Sequence, residues 1–145
     1  MDHSTARARV GASRVARLAT QTKTGRIDLV PITFALVDDL LVTAVDHKPK
    51  TTTHLKRLEN ISANPEVSVL IDEYRDDSWD ALWWVRLRGL ASVVDDGPAF
   101  DQALAALVGK YDQYQERAPD GPAIVIEVIR WQWWAAADAR AATDG

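Results

Sequence analysis

Between Leu41 and Asp72 the chain reads LVTAVDHKPKTTTHLKRLENISANPEVSVLID. This stretch restricts the fold more than any other: an apolar β-type run, a basic turn, a short helix and a second apolar run follow one another without a linker. From His47 to Arg57 it carries His47, Lys48, Lys50, His54, Lys56 and Arg57 with no acidic residue, although the whole chain has 17 basic against 21 acidic residues. A local positive site therefore sits on a net-negative protein. Lys48 and Lys50 precede Thr51 to Thr53, where the helix is expected to begin, and the helix dipole disfavours cations at that end. An anionic guest removes the conflict, because first-turn amide N–H groups, a threonine hydroxyl and two lysines form a phosphate cradle. The plain alternative is that the lysines are exposed solubilising charges.

The 145 residues suit one domain, 1–145, large enough for a real core. The formal charge of −4 argues against a general nucleic-acid binder, which needs a broad basic surface. With no cysteine, disulfides, thiol catalysis and thiolate metal sites are excluded, as fits a reducing compartment. The opening MDHSTARARV lacks the apolar core of a signal peptide and no run reaches membrane-span length, so a cytoplasmic protein without a membrane partner is expected.

In chain order, residues 1–12 predict an N-terminal helix capped by Ser4 or Thr5, with no functional weight. Val15 to Thr22 and Ile27 to Leu36 predict a hairpin about Thr24-Gly25, with Val30, Ile32, Phe34 and Leu36 on one face. Pro31 places that second strand at an edge or bulge, leaving backbone groups free, or is simply an edge-strand proline. Asp38-Asp39 turns the chain into a strand at Leu40 to Val45. The helix that follows faces the core with Leu55, Leu58 and Ile61, while Lys56 and Arg57 are expected on its solvated face. Val67 to Ile71 and Leu82 to Val94 read as strands. Gly89 marks a bulge, and the neighbours Trp83 and Trp84 point to opposite sides. Arg86 and Arg88 share a face. Ala99 to Val108 predicts a helix with Phe100, Leu104, Leu107 and Val108 on one side, stopped by Gly109. Tyr111 to Pro119 reads as a short helical or irregular excursion, Ala123 to Ala135 as the last strand, and 136–145 as a frayed tail. The total is mainly β with flanking helices: about six mostly antiparallel strands forming a barrel.

His3, His47 and His54 lack metal-ligand spacing, and neither a Gly-x-Ser-x-Gly turn, a Walker loop nor a Gly-x-Gly-x-x-Gly fingerprint is present. A borrowed reagent is then the simplest route to catalysis. A phosphate-bearing aromatic cofactor accounts together for the helix-start cations, the proline-interrupted strand and the surplus tryptophan of the late strands.

The stretches RVARLATQTKTGRIDLVPITFAL, LLVTAVDHKPKTTTHLKRLENISANPEVSVLID, LWWVRLRGLASVV and IVIEVIRWQWWA together resemble, in order, the pyridoxamine 5′-phosphate oxidase-like superfamily of FMN-binding split β-barrels. Within it the chain is most similar to small F420-dependent oxidoreductases. The resemblance implies a split β-barrel homodimer with cofactors at the subunit interface. It implies that Lys48, Lys50 and Thr51 hold the phosphate, and that Val30, Pro31, Ile32, Thr43 and Ala44 line the ring system through backbone contacts. Trp84 or Trp134 would reach the ring from the second subunit. No side chain need act as acid or base, so no catalytic residue and no metal is expected. The C-terminal substrate-binding segment of pyridoxamine phosphate oxidases proper is not found after Trp134.

The function so implied is hydride transfer between the deazaflavin coenzyme F420 and a small organic substrate. The alternatives are an FMN-dependent reductase or oxidase of the same fold, and a non-catalytic flavin- or haem-binding protein.

Overall fold

The computed structural model describes residues 1–45 and 52–139, with the backbone alone for 52–55. Seven strands form one antiparallel sheet: β1 (Ala16–Gln21), β2 (Ile27–Ile32), β3 (Ala35–Val37), β4 (Leu40–Ala44), β5 (Glu66–Glu73), β6 (Trp83–Val94) and β7 (Ala123–Ala135). Among the described residues the helices are α1 (His3–Ala12), α2 (Thr52–Ala63), α3 (Gly97–Lys110) and α4 (Asp112–Glu116), with a 3-10 turn at Trp79–Ala81. A helical turn at 136–139 follows β7 where a frayed tail was expected.

The strand order is β2-β1-β5-β6-β7-β4-β3. A flat sheet of this size would hold its two edge strands about 29 Å apart at ordinary strand spacing. Yet β2 and β3 are consecutive in the chain, separated only by Thr33 and Phe34, a span of at most about 11 Å. The sheet must therefore curl until its edges approach, without their pairing into a closed ladder. That is a split barrel. The predicted single strand from Ile27 to Leu36 is thus two strands on opposite edges, which raises the expected six to seven. The predicted alternation nonetheless holds: Val30, Ile32, Phe34 and Leu36 all belong to the interior cluster.

That interior also contains Leu18, Leu41, Val69, Ile71, Val85, Leu87, Ile124 and Ile126. Helix α1, present as expected, packs on the core with Ala6 and Val10, both fully buried. Its cap is the Asp2 carboxylate, which accepts from the Thr5 N–H at 2.8 Å. Neither Ser4 nor Thr5 caps it. Helix α2 contributes Leu58 and Ile61 to the same core; the predicted Leu55 side chain lies outside the described residues. Helix α3 covers the outer face of β3, β4 and β7 with Phe100, Ala103, Leu104 and Leu107. Ala103 takes the place expected for Val108, and the helix runs through Gly109 to end at Lys110.

Two predicted backbone irregularities are present. Pro31 pairs opposite Arg17 on the edge strand β2, where a missing N–H costs no ladder bond. The β6–β7 register shifts between Arg88 and Gly89, leaving Ile129 between the paired Val128 and Arg130. A Cβ at Gly89 would stand 2.3 Å from the Glu127 carbonyl oxygen, so the close approach of β7 requires glycine there. Asp38, at φ 51°, makes the tight turn between β3 and β4.

Candidate functional site

The two-residue corner at Thr33 and Phe34 is where the curled sheet brings its edges together, and polar groups from three other elements fasten it. Thr43 of β4 donates its hydroxyl to the Thr33 carbonyl at 2.6 Å. The Thr33 hydroxyl lies 2.8 Å from the Tyr114 hydroxyl of α4. Tyr111 accepts the Phe34 N–H at 3.1 Å, and its own O–H faces the carbonyls of Arg14 at 2.9 Å and Phe34 at 3.1 Å. These bonds satisfy backbone groups that leave the ladder at the corner. Burial pushes the Tyr111 phenol above its ordinary pKa, countered in part by its hydrogen bond to Phe34. The phenol is therefore neutral and able to donate at physiological pH.

Lys110 stands behind this corner, its Nζ 3.8 Å from the centre of the Phe34 ring. Burial, and then the positive charge of Arg14, lowers its pKa to about 8. The Arg14 guanidinium packs 4.5 Å over the Tyr111 ring and donates to the Lys110 carbonyl at 3.2 Å. The sequence reading missed Arg14, Lys110, Tyr111 and Tyr114. The available signal was the spacing of Tyr111 and Tyr114, three residues apart directly after a helix end; their rings meet edge to face at 5.6 Å.

Of the residues expected to bind a ring system, Val30, Pro31 and Ile32 end β2, and Thr43 and Ala44 end β4. The corner brings these two groups together, although their strands lie far apart in the sheet order. The side chains of Thr43, Ala44 and Ile32 are buried, Val30 is half-buried and Pro31 is exposed. Thr43 and Ala44 extend past the end of the β3 pairing, which stops at Ala35 opposite Val42. On their other side they pair with Ile124 and Ala123. Lys48, Lys50 and Thr51 lie outside the described residues. Just before them, the Val45 N–H donates to Pro122 at 2.9 Å. A Cβ on the adjacent Gly121 would fall 2.7 Å from that of Val45.

Helix α2, which begins after the basic turn, is anchored by polar residues. Asn60 donates to the Thr20 hydroxyl at 3.0 Å and to the Asp28 carboxylate at 2.7 Å, and Lys56 lies 3.5 Å from Asp28. Arg57, expected on the solvated face, is only 7% exposed. The inward stripe of α2 runs through Arg57, Asn60 and Ile61, and its polar members hid it from a search for apolar periodicity.

On the outer face of the sheet Trp84 pairs opposite Trp134. Trp83, as expected, points the other way into the core. Arg86 lies 5.4 Å over Trp84 and is held by Gln132 through bonds of 2.9 and 3.3 Å. Leu70, Tyr74, Trp83, Trp84, Arg86 and Trp134 line a cleft of about 390 Å³. Among the described residues no cluster of three or more histidine or acidic side chains could hold a metal, and no helix is long and apolar enough to cross a membrane.

An antiparallel sheet curled at one corner, with a helix inserted between β4 and β5, defines the class: a split β-barrel. The profile of the pyridoxamine 5′-phosphate oxidase family matches residues 3–135, and the chain belongs to that family. Among solved structures it is similar to the conserved hypothetical protein Rv2991 from Mycobacterium tuberculosis, at 20% identity and TM-score 0.77 over 97% of this chain and 88% of that one. An FAD-binding protein from Mesorhizobium loti gives 22% identity and TM-score 0.68 over 92% and 94% of the two chains. A haem-binding protein from Mycobacterium smegmatis gives 23% and 0.70 over 89% of this chain and 52% of its own length. At these identities the likeness is one of fold. No curated protein sequence matches the chain.

Proposed function

We propose that this chain is an oxidoreductase that holds a phosphate-bearing tricyclic cofactor and delivers hydride to a small conjugated organic substrate. F420 is the cofactor of this reading, with FMN as the alternative in the same site. The observation that carries it is the meeting of Val30–Ile32 with Thr43–Ala44 at the Thr33 corner. It sets backbone groups of two strand ends beside the chain that enters the basic turn. Lys48, Lys50 and Thr51 would hold the phosphate there, as charge-assisted donors ahead of α2.

The ring of such a cofactor supplies the hydride chemistry when bound. The protein positions it: Val30 and Ile32 exclude water on one side, and the Thr33, Tyr111 and Tyr114 bonds hold the corner rigid. A homodimer with its sites at the subunit interface belongs to the same reading. It is supported by Ile27 and Leu29, 70% and 67% exposed on the edge strand, and by Leu70, 39% exposed, on the outer face. Burial of such a surface favours association.

The test is consumption of reduced F420 or FMN in the presence of a panel of enones and quinones, compared between the natural chain and Lys50→Ala. Loss of one charge-assisted phosphate contact should weaken cofactor binding by at least ~1 kcal/mol, about fivefold. Unchanged affinity in the variant would remove Lys50 from the site. Failure to oxidise either cofactor with any substrate would leave a binder rather than an enzyme.

A further inference from the structure

We propose that the cleft between the C-terminal end of α1 and the β5–β6 connection binds a small oxyanion, a phosphate or a carboxylate, independently of the cofactor site proposed above. The cleft encloses about 480 Å³ and is lined by Arg9, Arg14, Arg75, Glu73 and Trp83. Three arginines and one glutamate thus border the cleft, with the Arg14 guanidinium turned toward Tyr111 at its margin. The carboxylate is already engaged, because Glu73 accepts the Trp83 indole N–H at 3.3 Å.

Among the described residues Arg9 and Arg14 are placed by contacts that include no carboxylate, and the carbonyl end of the α1 dipole offsets only part of the Arg9 charge. Arg9, in the last turn of α1, lies 5.5 Å over the Trp83 ring and directs one N–H to the Met1 sulfur at 3.4 Å, a weak acceptor. Arg14 stacks on Tyr111 and spends one N–H on a backbone carbonyl. Among the described residues neither has a carboxylate within 4.0 Å. Arg75 lies 3.7 Å from Asp77, an ion pair so exposed that solvent screens most of it. A guanidinium has five donors, so most of those on Arg9 and Arg14 remain for a guest.

Their stems are fixed beforehand. Arg9 is held on a buried tryptophan and Arg14 on a buried tyrosine, so little side-chain freedom is lost when an anion arrives. The cleft is on the α1 side of the sheet, since Trp83 faces the interior while Trp84 faces outward. Glu73 and Trp83 also border the cleft that holds Leu70 and Trp134, so the two hollows meet at these residues.

The experiment follows the indole N–H resonance of Trp83, assigned by its loss in Trp83→Phe, during titration of the full chain with inorganic pyrophosphate and, separately, with citrate. A saturable shift with either supports the site, and the tighter of the two names the source of the oxyanion. Arg9→Gln should weaken binding about tenfold, as expected for one charge-assisted contact, and Arg75→Gln by a smaller factor. Glu73→Gln, which keeps an acceptor for Trp83 while removing the opposing charge, should tighten it severalfold. The last two variants change exposed residues and carry the test if Arg9→Gln does not fold. No saturation below about 10 mM of either anion, or affinities indifferent to both Arg75→Gln and Glu73→Gln, would overturn the proposal.

Discussion

Tyr111→Phe removes one oxygen atom and tests whether the corner at Thr33 and Phe34 is held as described. The hydroxyl accepts the Phe34 N–H and donates toward the carbonyls of Arg14 and Phe34, and Tyr111 itself is only 9% exposed. Phenylalanine fills nearly the same volume, so packing changes little. Loss of the donated bond costs about 1 kcal/mol, and the orphaned Phe34 N–H about 1–3 kcal/mol more, because it is buried beside a fully buried ring. The sum is roughly 2–4 kcal/mol, a fall in Tm of about 6–12 °C for a domain of this size near the middle of that range. Thermal unfolding followed by circular dichroism, with a urea titration whose slope stays constant, measures it. Tyr114→Phe is the control: its hydroxyl meets only the half-buried Thr33 hydroxyl, which can turn to water. Equal and small losses in both variants, below about 1 kcal/mol, would refute the assignment of Tyr111 as the fastening of the corner.

Gly89→Ala should destabilise by about 2–3 kcal/mol, because its Cβ would meet the Glu127 backbone and Ile126; a urea midpoint equal to that of the natural chain would show that β7 can shift at no cost. Lys110 makes stability depend on alkaline pH. Its folded pKa, about 8, lies below the ordinary 10.5, so between those values the unfolded chain binds more protons and stability rises with pH. Lys110→Met should remove that rise and, after discounting for solvent screening, stabilise the protein by about 1 kcal/mol at pH 7. Tyr111, with its raised phenol pKa, acts in the opposite sense only above pH ~10, as stability is then lost on ionisation of the unfolded chain. Urea midpoints across that range, compared between the natural chain and Lys110→Met, separate the two.

Much of the sheet was legible because side-chain alternation along a half-buried strand is a local property. Val67 to Ile71 and Trp83 to Val94 show it directly, Ala123 to Ala135 is legible instead as an apolar and aromatic run, and Gly89 and Pro31 announce their irregularities by chemistry that a regular inner strand does not tolerate. The break at Thr33 was not legible. Ile32, Phe34 and Leu36 keep their alternation through the corner, so no slip in period marks where the strand changes neighbours. Nor were the polar fastenings. Arg57 and Asn60 are buried by the helix geometry of α2, and Tyr111 finds Arg14 and Phe34 across 97 and 77 residues of sequence. At the candidate site, Val30–Ile32 and Thr43–Ala44 could be selected by resemblance. Their meeting depends on sheet curvature, which no short window contains.

The central claim is that this barrel holds a tricyclic redox cofactor at the corner shared by β2 and β4. Parallel fluorescence and absorbance titrations of the purified chain with F420, FMN, FAD and haem, with the mass of each complex measured in solution, test it most directly. Saturable one-per-subunit binding of F420 or FMN on a dimer, weakened in Lys50→Ala, is the expected result. Binding of haem alone, or of none of the four, would contradict it.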